Sequence, residues 1–285
     1  MTSLAELVRE HSTLDRDDTD HLHRLTAEWA FLADLCFADL LLYVRSGGGK
    51  WLIVDQVRPA TNQTMYVTDY IGTWADGDEA ELIEAAATSG QRVEGAIEVD
   101  GGGDEVNHAR MLAIPVRPKG EVVAVLSKEW KVRAGRPLGE LERNYSFIFE
   151  EFAQMIEVGM FPFPGRVADS SAAPRVGDGV LTLESSGTVT YVSPNANSAL
   201  HRVGIQANPV GMRLAELGFH DGPVRQAFER REPIVEEFEQ GADVTLLCRC
   251  VPLVSSTDSG TEVAGGLLLV RDVTELRKRD RLLLS

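Results

Sequence analysis

Cys248 and Cys250 stand one residue apart in the apolar run Val244–Val254, which reads as a β-strand. Residues two apart in a strand point to one face, so the two thiols are expected to be neighbours. Paired thiols can bind a soft metal or answer an oxidant. A zinc site wants four ligands, and no second cysteine pair or spaced histidine pair completes the set. Cysteine is also a common small core residue, so plain packing is the competing reading. His21-x-His23 is a poor chelate, because residues two apart on a helix diverge by roughly 200°. Gly47-Gly48-Gly49-Lys50 invites a phosphate loop, but Val44 and Trp51 occupy the places where that motif needs Gly and Ser or Thr. A hairpin turn is the better account. Neither G-x-S-x-G nor H-E-x-x-H occurs, and nothing supports catalysis by this chain.

Binding is the other chemistry to consider. Trp51, Tyr66, Trp74 and Arg110 are the aromatic and cationic candidates for a small nucleotide-like ligand. The glycine-rich stretch Gly101–Asp104 could serve as a lid, since binding residues often sit on loops held by a rigid scaffold. Against this, each of those side chains could simply pack or face solvent.

The elements that must position these residues fall into two groups. Leu22, Leu25, Trp29, Leu32 and Cys36 recur at helical spacing behind an acidic start at Asp15–Asp20. Leu40–Val44 and Trp51–Val57 read as strands, and Asp78–Ser89 as a helix. Gly95–Asn107 is poor in apolar residues and reads as a mobile loop. Met111–Val116 and Glu121–Leu126 make a second strand pair. Leu138, Leu141, Tyr145, Ile148, Phe152 and Met155 form a helix seam of about three heptads, able also to pair with a second copy of the chain. Phe161–Pro174 carries three prolines and the small run Ser170–Ala173, which marks a linker. Beyond it come strands at Gly179–Glu184 and Val189–Ser193, and short helices at Asn195–Arg202 and Pro223–Arg231. Further strands follow at Ile234–Phe238, Val244–Val254 and Val263–Val273. The expected fold class is α+β, two domains each with a central antiparallel sheet and flanking helices. The expected division is 1–160, a linker at 161–175, 176–272, and an output helix from 273.

A length of 285 residues suits two domains, and 44% hydrophobic with 25% charged residues suits folded ones. The net charge of −16 argues against direct nucleic-acid binding, which needs clustered Lys and Arg. No apolar run nears the roughly 20 residues of a membrane helix. Three cysteines and no secretory signal fit a reducing cytoplasm.

The second half resembles a PAS domain. The residues that carry this are Gly187-Thr-Val-Thr-Tyr-Val-Ser-Pro-Asn-Ala-Asn, and Asp272-Val273-Thr274 at the end of the last strand. The resemblance implies that Asp272 and Thr274 couple the sheet to an output helix, and it adds Asn195 to the ligand-binding candidates. His220 falls where some PAS domains hold a haem ligand, but no aromatic residues frame it. The first half resembles the GAF-like domain of certain soluble histidine kinases, through Thr64-Met65-Tyr66, Asp69, Ile71-Gly72-Thr73 and Ala113-Ile114-Pro115-Val116. The whole chain looks like the sensor region of a PdtaS-type kinase. That likeness implies a cytosolic homodimer, a response regulator as partner, and ATP and Mg used only by a kinase domain beyond Ser285. A free-standing ligand-binding regulator without kinase output is the alternative.

Overall fold

Ser3 opens the first helix with a capping box. Its hydroxyl accepts from the Glu6 N–H at 3.3 Å, while Glu6 Oε2 accepts from the Ser3 N–H at 2.8 Å. Helix α1 (Leu4–His11) leads to α2 (Arg16–Glu28), where Asp15 accepts from the Asp18 N–H at 2.8 Å, and to α3 (Ala30–Cys36). The expected single stripe is thus split at Trp29. The turn there keeps right-handed helical angles, so Leu22, Leu25, Leu32 and Cys36 remain buried together. The computed structural model describes residues 3–66, 68–100, 106–131, 138–164, 173–240, 244–257 and 260–283.

The chain divides into two units, Met1–Gly165 and Arg166–Ser285, each around one five-stranded antiparallel sheet. The first sheet is built from β1 (Asp39–Arg45), β2 (Trp51–Val57), β3 (Val93–Asp100), β4 (Val106–Val116) and β5 (Ala124–Lys131), in the order β2-β1-β5-β4-β3. Alternation along the strands separates two buried faces. Leu41, Tyr43, Ile53, Ile97, Met111 and Val125 pack with Ile83 and Ala86 of α4 (Gly77–Ser89). On the other face, Phe152 of α5 (Glu140–Glu157) meets Phe31 of α3 edge-on at 5.1 Å. Phe161 joins the same aromatic group, at 5.2 Å from Phe152, so this core reaches past the end of α5.

The expected loop at Gly95–Asn107 is corrected here. Val93–Asp100 pairs with Val106–Ala113 in continuous register. Gly95 is needed for close packing rather than for mobility: a Cβ there would lie 2.6 Å from Leu82 Cδ2 of α4. Gly101–Asp104, the expected lid, lies outside the described residues. Strand β5 begins at Ala124 rather than Glu121 and runs on to Lys131, carrying polar Ser127 and Glu129 on the same buried face as Val125.

The second unit comprises β6 (Val180–Glu184), β7 (Val189–Val192), α6 (Pro194–Arg202), a 3₁₀ turn at Leu214–Leu217, and α7 (Gly222–Arg230). Then follow β8 (Ile234–Gln240), β9 (Val244–Thr257), β10 (Gly260–Asp272) and α8 (Thr274–Leu283). Its sheet order, β7-β6-β10-β9-β8, repeats that of the first unit. Leu181, Leu246, Cys248, Cys250, Leu268 and Val270 form the core with Leu200 of α6 and Val224 of α7. In both sheets the first and last strands are hydrogen-bonded neighbours at the centre.

Candidate functional site: a carboxylate-floored cavity and a helix junction

The first unit holds a cavity of about 590 Å³ between the sheet, the start of α4 and the loop that follows β2. That volume is ordinary for a small-molecule site. Leu41, Ile53, Ile97 and Val99 give it apolar walls, and Tyr66, Tyr70 and Trp74 give it aromatic ones. The rings of Tyr66 and Tyr70 meet edge-on at 5.0 Å. The described lining also includes Asp76, Asp78, Glu79 and Glu98, and no Lys, Arg or His.

Beneath Tyr66 lies Glu129, 0% exposed. Its carboxylate accepts from the hydroxyls of Tyr66, of Ser127 at 2.5 Å and of Tyr43 at 3.1 Å. Tyr43 Oη also lies 2.5 Å from Glu79 Oε1. One hydroxyl carries one proton and cannot donate fully to both carboxylates. A proton held on one of the carboxyls satisfies both contacts. Burial, and then the charge of Glu79, raise the protonation range of Glu129; burial, and then the charge of Asp76, raise that of Glu79. Asp39, directly opposite Glu129 in the sheet, accepts from Thr64 Oγ1 at 2.5 Å and the Met65 N–H at 2.9 Å.

In the second unit the notable geometry is where β10 becomes α8. The Thr274 N–H donates to Asp272 Oδ1 at 2.9 Å, and Thr274 Oγ1 accepts from the Thr245 N–H of β9 at 2.9 Å. Asp272 Oδ2 also meets Arg202 Nε of α6 at 3.1 Å. Farther along α8, Arg277 donates from Nε and Nη2 to both oxygens of Glu237, and Arg281 reaches Glu239 at 2.9 Å. Positions four apart on a helix thereby match positions two apart on β8.

Residues 4–148 match the family profile described as the GAF domain of the histidine kinase PdtaS. The chain belongs to the PdtaS sensor histidine kinase family. It is 35% identical over 298 residues to the sensor histidine kinase PdtaS of Mycolicibacterium smegmatis, aligning 100% of this chain with 58% of that protein. The PdtaS of Mycobacterium tuberculosis H37Rv is 36% identical over 303 residues, with the same coverage. The chain therefore spans 58% of the length of the PdtaS relatives it matches. A solved structure described as the sensor region of a sensor histidine kinase superposes with a TM-score of 0.79 at 32% identity, covering 97% of this chain and 100% of that one.

The residues singled out from the PdtaS-like sequence have separate fates. Tyr66 and Trp74 line the cavity, Tyr66 buried and Trp74 43% exposed at its rim. Trp51 is buried in the same core with its indole N–H donating to Glu84 at 2.8 Å, which commits it to packing. Arg110 does not line the cavity. Its neighbours Ala109 and Met111 face the core on the α4 side of the sheet, so alternation turns Arg110 to the other side, and it pairs with Glu94 at 2.6 Å. Asn195 ties the start of α6 to the Gly177 carbonyl at 2.7 Å and lines none of the described cavities of the second unit. Cys248 and Cys250 are both buried, facing α6 and α7 in the apolar core. Burial pushes both thiols up, Cys250 to about 12, so they stay protonated. Among the described residues no group of three or more His, Cys, Asp or Glu is placed to hold a metal ion.

Sequence reading missed Glu79, Glu129 and Tyr43. A signal for Glu129 was present: Ser127-x-Glu129 places two polar residues on the same face as apolar Val125. Among the described residues, no helix is long and apolar enough to cross a membrane.

Proposed function

We propose that this chain is the sensory region through which a cytosolic, dimeric histidine kinase reads an internal signal. In this reading the GAF domain takes a small molecule into the cavity above Glu79 and Tyr66. The second unit acts as a PAS-type domain, and Thr274 carries its state into α8. The whole protein then transfers phosphate from ATP, with Mg, to one of its own histidines and on to a response regulator. The observation that carries this reading is the match to PdtaS kinases along 100% of the chain. Further support comes from the junction, where a single side chain, Thr274, is bonded to β9 and also begins α8.

The mechanism is a shift of population. A ligand that prefers one arrangement of the domain biases the helix that follows; one that binds both arrangements equally shifts nothing. The test is autophosphorylation of the whole protein that carries this chain, with ATP and Mg, compared with a version lacking residues 1–160 and with Thr274→Val. Altered rates in both are expected. Identical rates in all three proteins would remove the sensory reading.

A further inference from the structure

Glu129 poses a physical question that the fold alone does not answer. A carboxylate with no exposed surface is costly unless it is paired, protonated or otherwise neutralised. Among the described residues its partners are hydroxyls alone, and Glu79 at the cavity surface is bonded to the same Tyr43. Among the described residues, every other ionisable group that acts on this pair adds negative charge or none. Asp39 lies across the sheet, Asp76 precedes α4, and Tyr43 and Tyr66 stay neutral because burial pushes their hydroxyls well up. Arg58 acts on Asp39 and is itself bound to Asp69 at 2.7 Å.

The void above this pair is bounded by aromatic rings and carboxylates, with no basic group among its described lining. Asp76 stands at the N-cap of α4 but makes no side-chain bond to its own helix, which leaves its carboxylate at the rim. A phosphorylated or carboxylate ligand would meet like charge here. A ligand cation would meet Glu79 as a hydrogen-bonding counter-ion and the faces of Tyr70 and Trp74 as a π surface.

We infer that the cavity binds a small organic cation, one presenting an ammonium or guanidinium group to Glu79 with Tyr66, Tyr70 and Trp74 around it. This rests on the sensory reading above and names the ligand class of the same site. In the empty site a proton neutralises the Glu79–Tyr43–Glu129 chain. The bound cation takes over that task, and the proton leaves to solvent. Cation and proton therefore compete.

The experiment is calorimetric titration of the full chain with agmatine, putrescine and guanidinium, and with GMP as an anionic probe. It is run at about pH 8 and about pH 5.5, since competition with a carboxyl proton is strongest on the acid side. At least one cation is expected to bind, at least tenfold more weakly at the lower pH. Glu79→Gln is expected to reduce binding at least tenfold without lowering the melting temperature. Arg110→Ala, on the opposite face of the sheet, is expected to leave binding unchanged. Absence of binding by every cation, binding of GMP alone, or cation binding indifferent to both pH and Glu79→Gln would overturn the inference. Those outcomes leave the sensory reading standing, because that one is judged by the phosphorylation rates of the whole protein.

Discussion

Asp39 and Glu129 are direct cross-strand partners on β1 and β5, two buried acids side by side at one end of the ladder between two inner strands. Each is served by its own set of donors, Thr64 and Met65 for the first, Tyr43, Tyr66 and Ser127 for the second. Like charges directly opposite in a sheet are destabilising, and both groups have protonation ranges raised, chiefly by burial.

The pH dependence of stability follows from that pair. Glu129 is raised above its ordinary 4.5 in the folded chain, so the folded state holds the proton longer than the unfolded one. Below the ordinary value both states are protonated and nothing is lost. As pH rises between the unfolded and the folded range, stability falls with a limiting slope of about 1.4 kcal/mol per pH unit. Glu129→Gln removes this dependence. Urea midpoints of the two proteins are expected to lie closest near pH 4.5 and to separate towards about pH 8, with the variant gaining. A native chain that gains on the variant as pH rises would show the carboxylate to be stabilised instead.

Thr274→Val keeps the shape of the side chain but removes the acceptor for the Thr245 N–H. A buried donor left unsatisfied costs about 1–3 kcal/mol. Amide exchange at Thr245 and in the first turn of α8 is expected to quicken, with the centre of β10 unchanged. Equal exchange in the two proteins would deny Thr274 any part in fastening the helix.

Arg277 and Glu237 form a partly exposed two-pronged pair whose geometry binds α8 to the edge strand β8. Screening keeps such a pair weak in overall stability, so the readout should be local. Glu237→Arg is expected to speed amide exchange along Glu275–Leu283, and adding Arg277→Glu is expected to restore much of the protection. Restoration is the discriminating result, since a merely disturbed strand would not recover.

Cys248 and Cys250 should be inert while the chain is folded. Buried, protonated thiols are poor nucleophiles. A maleimide probe is expected to label neither at neutral pH without denaturant, and both in about 6 M guanidinium, where the core is open. Cys248→Ser is expected to cost about 1–3 kcal/mol by burying a hydroxyl. Rapid labelling in the folded state would revive the redox reading.

Much of the fold was legible because its strongest elements bury one face regularly. The seam from Leu141 to Met155 gave α5, although Leu138, its expected first residue, lies before the helix and is exposed; Asp272-x-Thr274 gave the junction, because a helix start needs short acceptors at fixed spacing. Strand β3 was not legible. Gly95 and the acids around it look like loop chemistry, and only the approach of Leu82 shows why a glycine belongs inside a strand. The cavity was half legible. Aromatic residues announced it, but which of them face the void depends on strand alternation across three chain segments. Arg110 and Trp51 fall outside it by a single residue of register or one indole hydrogen bond. The decisive carboxylates were hidden because Glu79 sits on a helix rich in acids and Glu129 in the charged end of a strand, between Lys128 and Lys131 in sequence.

The strand order shared by the two sheets has an evolutionary corollary. The opening strand lies beside the closing one and runs opposite to it, so the chain comes in and goes out at the same end of each sheet. A module wired this way can be duplicated, excised or exchanged along a polypeptide with little disturbance to its flanks, as a bead is added to a string. Tandem arrays of such beads can lengthen without redesign, and each newcomer needs only a compatible helix at its exit.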